Sequence, residues 1–178
     1  MTALERSSLV IPLSITLRTG TRADLPKLEW YGQYAHQRNL FQRAFRDQQL
    51  GRRLILVADS NNFPVGHIFI QFIGQDYGFT DGKKRAYLYS LRVMEMFRGY
   101  GIGTCLIQEA ESAIRDRGFQ WSIIAVAKAN HLARQLYERL GYKVFAEEPG
   151  HWSYLDHENK PRHVHEPCWL LHKSVQLR

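Results

Sequence analysis

An α/β fold is what this sequence predicts, with a central mixed sheet of about seven strands flanked by helices on both faces. Three observations carry the expectation. A strand-like run over residues 86–93 leads through the glycine turn Arg98-Gly-Tyr-Gly-Ile-Gly-Thr104 into a helical stripe of Ile102, Leu106, Ala110, Ala113 and Ile114. A second apolar run, residues 121–127, is followed by another helical stripe that starts at Asn130. Read end to end, the elements fall in the order β-α-α-β-β-β-α-β-α-β-β, the alternation that layers a sheet between helices.

Taken in order, residues 1–13 read as a leader, and residues 14–178 as a single domain. Residues 14–18 alternate as a strand. The stretch Thr21-Arg-Ala-Asp-Leu-Pro26 reads as a helix entry, with Asp24 as cap and Pro26 inside the first turn. Trp30, Tyr34, Phe41 and Phe45 then continue at helical spacing to a stop at Gly51. This aromatic stripe fits either a core or a pocket wall. Residues 53–58 and 65–72 are two strands of a hairpin joined by the turn-rich Asp59-Ser-Asn-Asn-Phe-Pro64. A loop over residues 74–84 hands over to the strand at 86–93.

The helix from Asn130 carries Leu132, Ala133, Leu136, Tyr137 and Leu140 on one stripe, with Asn130 a good N-cap and Gly141 a C-terminal stop. Residues 142–146 read as a strand, 147–162 as a polar and aromatic segment with a turn over 156–161, and 168–173 as a closing strand. Between Glu148 and Glu166 stand His151, His157, His163 and His165. Their spacing matches none of the better-known zinc patterns and no cysteine joins them, so no metal is expected.

The glycine turn has a chemical use. The first turn of a helix leaves N–H groups without intrahelical partners and carries the positive end of the helix dipole, which suits a phosphate. Glycines at 99, 101 and 103 let a pyrophosphate approach the backbone, and Arg98 adds a cation. A Walker loop is excluded for want of lysine. A dinucleotide fingerprint is excluded because Thr104 and Leu106 stand where glycine is required.

The stretch resembles the acetyl-CoA signature of the GNAT superfamily of N-acetyltransferases, Arg/Gln-x-x-Gly-x-Gly/Ala at the start of a helix, after a strand that ends in valine. Arg98, Gly101 and Gly103 fill it, five residues past Val93. The segment Asn130-His-Leu-Ala-Arg-Gln-Leu-Tyr-Glu-Arg-Leu-Gly-Tyr142 is similar to the family's N-x-x-A-x-x-L-Y-E-x-L-G-F/Y helix at each marked position. The resemblance implies an acetyl-CoA site made by Leu91, Val93, Arg98, Gly99, Tyr100, Gly101, Ile102, Gly103, Thr104, Asn130, Ala133 and Tyr137. For Asn130 and Tyr137 the simpler roles of capping and packing stay open. It also implies that Trp30, Tyr31 and Tyr34 on the first helices, and Trp152 and Tyr154 in the late segment, line the acceptor pocket.

The implied reaction is direct attack of an amine on the acetyl thioester. A backbone N–H near Val93 and Met94, at the family's strand distortion, would receive the oxyanion, and Tyr137 would protonate the departing thiolate. Many family members carry a carboxylate three or four residues before the valine, where this chain has Ser90 and Tyr89. The base is therefore either a water held by Ser90 or Tyr89, or His67 on a neighbouring strand. The alternative function is a non-catalytic acyl-CoA-binding sensor on the same fold.

The formal charge of +7 implies an anionic partner, which the coenzyme phosphates would supply, and no nucleic-acid motif is present. No apolar run approaches the ~20 residues of a membrane span, and the two cysteines, Cys105 and Cys168, are far apart. A cytoplasmic monomer or homodimer with no membrane or nucleic-acid partner is the resulting expectation. Its acceptor would be a small-molecule or peptide amine.

Overall fold

The computed structural model describes residues 12–74 and 79–176. The leader lies outside them but for its last two residues, as does part of the loop before the glycine-turn strand. Seven strands form one sheet: β1 (Thr16–Thr19), β2 (Arg53–Ser60), β3 (Phe63–Gln71), β4 (Arg85–Val93), β5 (Trp121–Ala127), β6 (Lys143–Glu148) and β9 (Cys168–Ser174), in the spatial order β1-β2-β3-β4-β5-β9-β6. Every neighbouring pair is antiparallel except β4 and β5. Those two are parallel because α2 (Ile102–Asp116) crosses over between them.

Alternation along the strands supplies two core faces. On β2 and β3, Leu56, Ala58, Ile68 and Ile70 point to one side, while Ile55, Val57 and Phe69 point to the other. The first side packs on α2, whose Leu106, Ile107, Ala110 and Ile114 are fully buried. Each such Leu or Ile contributes about 2 kcal/mol of apolar burial. Helix α3 (His131–Arg139) joins the same side through Tyr137. The second side is covered by α1 (Arg38–Gln49), with Phe41 and Ala44 buried against Ile55, Val57 and Phe69. Gly66 lets α2 settle against β3: a Cβ there would stand 3.2 Å from the Arg92 carbonyl oxygen, 3.3 Å from Leu106 and 3.4 Å from Ile102.

The N-terminal helix differs from the sequence expectation. Only residues 38–49 are α-helical, and the chain before them runs as three 3-10 turns, Arg22–Asp24, Lys27–Glu29 and Ala35–Gln37. The break is at Trp30, Tyr31 and Gly32, which take φ of 42°, 58° and 93° in succession. Bulky residues reach that region only when the surroundings impose it. Here the Trp30 indole N–H donates to the Pro64 carbonyl at 2.9 Å, and its ring packs edge-on to Tyr34. Helical spacing was a poor guide because Trp30 and Tyr31 anchor the turns to the start of β3, at Pro64 and Phe63.

Asp24 is also not the cap. Thr21 is the N-cap, and Asp24 sits at the third position of a capping box, its carboxylate accepting from the Thr21 backbone and hydroxyl. The same carboxylate meets Arg18 of β1 at 2.7 Å, and Arg18 also reaches Asp59 at the end of β2. The late segment folds further than a turn. Residues 151–165 form a separate hairpin of β7 (His151–Leu155) and β8 (Pro161–His165). Its outer face pairs the rings of His151 and His165 in a stack, and its Trp152 belongs to the opposite set of positions.

Candidate active site

The site begins with one extra residue in β4. Ser90 and Leu91 together face Ile68 across the β3–β4 ladder, where the register shifts, and Ser90 has φ of 55°. This is a β-bulge with a serine in the left-handed region. It inverts the parity of the strand. Ala86 and Leu88 pack on the α2 side before it, and Leu91 and Val93 pack there after it, which turns Arg92 to the α1 side.

The bulge also ends the contact between β4 and β5. Their parallel register runs from Arg85 with Trp121 to Leu88 with Ile124 and no further, although β5 continues beside β9 to Ala127. Beyond Leu88 the two strands part. Met94 donates its N–H to the Val65 carbonyl at 2.8 Å, so the donor near the strand end that sequence reasoning offered for an oxyanion is already engaged at Met94. Alternation aims the Val93 N–H at the opposite edge, into the parting.

On one side of the parting lies the glycine turn. Gly99 and Gly101 both have φ of 82°, with open space where a Cβ would stand, and Gly101 is the N-cap of α2. A side chain there would strain the backbone, and the N–H groups of Ile102, Gly103 and Thr104 follow as first-turn donors. Arg98 donates its Nε to the Val93 carbonyl at 3.0 Å, which ties the loop to the end of β4, and Tyr100 is 81 % exposed. A Cβ on Gly103 would stand 3.9 Å from Val93 and 4.0 Å from Leu136 of α3, so the helix start, strand end and α3 meet there. Asn130 caps α3, its Oδ1 accepting from the Ala133 N–H at 3.1 Å. Tyr137 is buried beside Tyr142, and burial pushes its phenol up to about 12, so it stays protonated.

On the α1 side lies a cleft of about 390 Å³. Tyr87, Tyr89, Ser90 and Arg92 reach it from β4, Ala125 and Ala127 from β5, Phe41 from α1 and Trp152 from the hairpin. Both banks of the parting thus contribute, and two alanines on β5 keep it open. Tyr89 accepts a hydrogen bond from Arg53 Nη1 at 2.7 Å, and burial pushes its phenol up to about 12 against the opposing charge of Arg53. Ser90 accepts from Arg92 Nη1 at 2.9 Å. A larger hollow of about 650 Å³ between the 3-10 turns and α1 receives nothing from β4, β5, α2 or α3, so its size does not make it the site.

The aromatic candidates divide. Trp152 lines the cleft and Tyr154 stacks on it at 5.3 Å, while Tyr34 lies under the Arg92 guanidinium. Trp30 does not line the cleft, because its indole is buried in the core, and Tyr31 is 88 % exposed against Phe63. His67 does not line it either. It is fully buried among Trp30, Phe41 and Phe69, and burial, then the charge of Arg92, lowers its pKa well below the ordinary value. Without access to the cleft, His67 is not positioned to take a proton from an acceptor there. Sequence reasoning missed Arg92, Phe41, the alanine pair and Glu148 and Glu166, which also line the cleft. For Arg92 the signal was present: apolar residues at 86, 88, 91 and 93 change parity between Leu88 and Leu91.

Strand parting, glycine-capped helix and flanking cleft define a class, and sequence comparison agrees. A model of the acetyltransferase (GNAT) family matches residues 21–142. The chain belongs to the GNAT acetyltransferase family. It is 34% identical over 68 residues to a mycothiol acetyltransferase of Thermobifida fusca, covering 38% of this chain and 21% of that protein. It is 34% identical over 58 residues to N-alpha-acetyltransferase 30 of Schizosaccharomyces pombe, covering 33% and 39%. These matches thus span well under half the length of both relatives. Among solved structures, Arabidopsis thaliana NAA60 in complex with acetyl-CoA superposes with a TM-score of 0.67 at 19% identity, over 91% of this chain and 99% of that one.

Among the described residues no helix is long and apolar enough to cross a membrane, and no three His, Cys, Asp or Glu side chains gather as a metal site would require.

Proposed function

We propose that residues 14–178 form one catalytic domain that transfers an acetyl group from acetyl-CoA to a primary amine. The observation that supports this best is the parting of β4 from β5, with a glycine-capped helix on one side and a cleft on the other. The pyrophosphate would rest on the first-turn N–H groups of α2, with the pantetheine arm extended through the parting between Val93, Gly103 and Ala133. The acetyl group would then face the cleft, beside Ser90 and Tyr89.

The Val93 N–H would receive the oxyanion, and one such donor is typically worth ~3 kcal/mol of barrier. Tyr137 is the proton donor to the thiolate. Its raised pKa keeps it protonated at any physiological pH, and burial of the sulfur beside it would raise the thiol as well, so that the proton transfer is only modestly uphill. Ser90 would orient a water that takes the amine proton.

The test is thiol release from acetyl-CoA with a broad amine panel, on wild type and Tyr137→Phe. A fall of at least tenfold in kcat, with coenzyme affinity retained, supports both the transfer and the phenol's role. Tight coenzyme binding without turnover of any amine would favour the sensor alternative, to which the absence of a carboxylate on β4 gives weight.

A further inference from the structure

The charges of the cleft bear on what it accepts. Arg53 has its own carboxylate, Asp47 at 3.0 Å, besides the Tyr89 hydroxyl. Arg92 is differently placed. Its Nη1 donates to the Ser90 hydroxyl at 2.9 Å and its guanidinium carbon lies 4.4 Å from the centre of the Tyr34 ring, yet among the described residues no carboxylate pairs with it. It is partly buried, and burial lowers its pKa while the phenols of Tyr34 and Tyr154 oppose the fall.

A desolvated guanidinium left with a hydroxyl and a ring face has most of its planar donor fork unused, and that fork suits a carboxylate. The bulge at Ser90 is what delivers it. The cleft's carboxylates, Glu148 and Glu166, belong to the β6–β9 side, with β5 between them and β4. The cleft is therefore polarised, cationic along β4 and anionic across β5.

Resting on the acetyltransferase reading, we propose that the acceptor is an amino acid or similar zwitterion, whose carboxylate is received by Arg92 and whose amino group is drawn toward Glu148 and Glu166. The amine nitrogen forms the C–N bond with the acetyl carbon, and the C–S electron pair leaves with the coenzyme sulfur. The ammonium gives one proton to water in the cleft before it attacks, and the nitrogen gives a second once the C–N bond has formed. The thiolate takes a proton from Tyr137, whose phenolate is restored from solvent, so that one proton is released overall. The product keeps its carboxylate and loses its positive charge, which removes its attraction to the glutamates and favours release.

The experiment measures kcat and KM for the protein amino acids, each beside its carboxamide, on wild type, Arg92→Gln and Arg92→Lys. Wild type should acetylate at least one amino acid tenfold or more better than its carboxamide in kcat/KM, with the difference in KM. Arg92→Gln should remove most of that preference and Arg92→Lys retain part, with KM for acetyl-CoA within twofold of wild type throughout. A wild type that favours the carboxamides, or a preference that survives in Arg92→Gln, overturns the proposal. Turnover of polyamines or arylamines without amino acids also overturns it and leaves the acetyltransferase reading standing. Acetyl-CoA binding with no amine of any kind acetylated defeats that reading and this proposal together.

Discussion

Arg92 and Ser90 are joined across the bulge they share: the guanidinium donates to the serine hydroxyl at 2.9 Å, and the serine backbone, at φ of 55°, is what points the guanidinium into the cleft. A residue with strained backbone thus orients a charged neighbour two positions on. Two substitutions separate strain from contact. Ser90→Val places a β-branched side chain at positive φ and is expected to lower stability by about 2 kcal/mol in urea unfolding. Ser90→Gly relieves the strain while it removes the hydroxyl, and should leave stability within about 0.5 kcal/mol of wild type.

Gly101 and Gly103 are two residues apart and predict opposite outcomes. Gly101 has positive φ, so Gly101→Ala should cost about 1 kcal/mol of stability. Gly103 is helical with room for a methyl, so Gly103→Ala should preserve stability or raise it by up to about 1 kcal/mol. That methyl would narrow the space between Val93 and Leu136, so KM for acetyl-CoA should rise at least tenfold. Thermal unfolding and steady-state kinetics on the same two proteins check both halves.

Tyr89 and Tyr137 make the fold sensitive to alkali. Burial raises each phenol from the ordinary value of 10.0 to about 12. The folded state therefore keeps a proton that the unfolded state releases above pH 10, so stability is complete below pH 10 and is lost as pH rises through 12. Each tyrosine should contribute about 2 kcal/mol to the fall. Urea midpoints between pH 8 and pH 11 should decline, and Tyr137→Phe should decline less steeply than wild type.

Asp24 sets the acid limb. Burial alone would raise its pKa. The Arg18 guanidinium and the Thr21 backbone and hydroxyl outweigh it and hold the carboxyl at about 2, from an ordinary 3.8. A lowered folded pKa gives stability that is complete above pH 4 and is lost as pH falls through 2. Asp24→Asn should cost about 2 kcal/mol at pH 7, because it leaves Arg18 with Asp59 alone, and the gap from wild type should shrink toward pH 2.

How much of this was legible in the sequence depended on how far each residue's partners lie. Strand β5 spans the predicted residues 121–127, α2 starts at Ile102, and Asn130 caps α3, because apolar period, glycine and cap are local signals. Trp30 misled because its conformation answers to Pro64, 34 residues away, and no local pattern announces three left-handed residues in a row. The glycine turn was legible as a unit, since its chemistry is in its own backbone. The cleft was only partly so. It is assembled from β4, β5, α1 and the hairpin, and Ala125, Glu148 and Trp152 meet through a strand order that the sequence states nowhere directly.

Gly66 is far from the glycine turn in sequence, yet it governs where that turn sits. With no methyl on this residue of β3, α2 rests its first two turns, at Ile102 and Leu106, directly on the strand. The helix start is thereby seated at a fixed height above the strand ends, like a hinge leaf screwed flush to its frame. An alanine at 66 would act as a shim under that leaf, pressing on Ile102, Leu106 and the Arg92 carbonyl together. The row of N–H groups and the backbone of Arg92 would shift as one, and the two sides of the parting would lose alignment through a residue that touches no ligand.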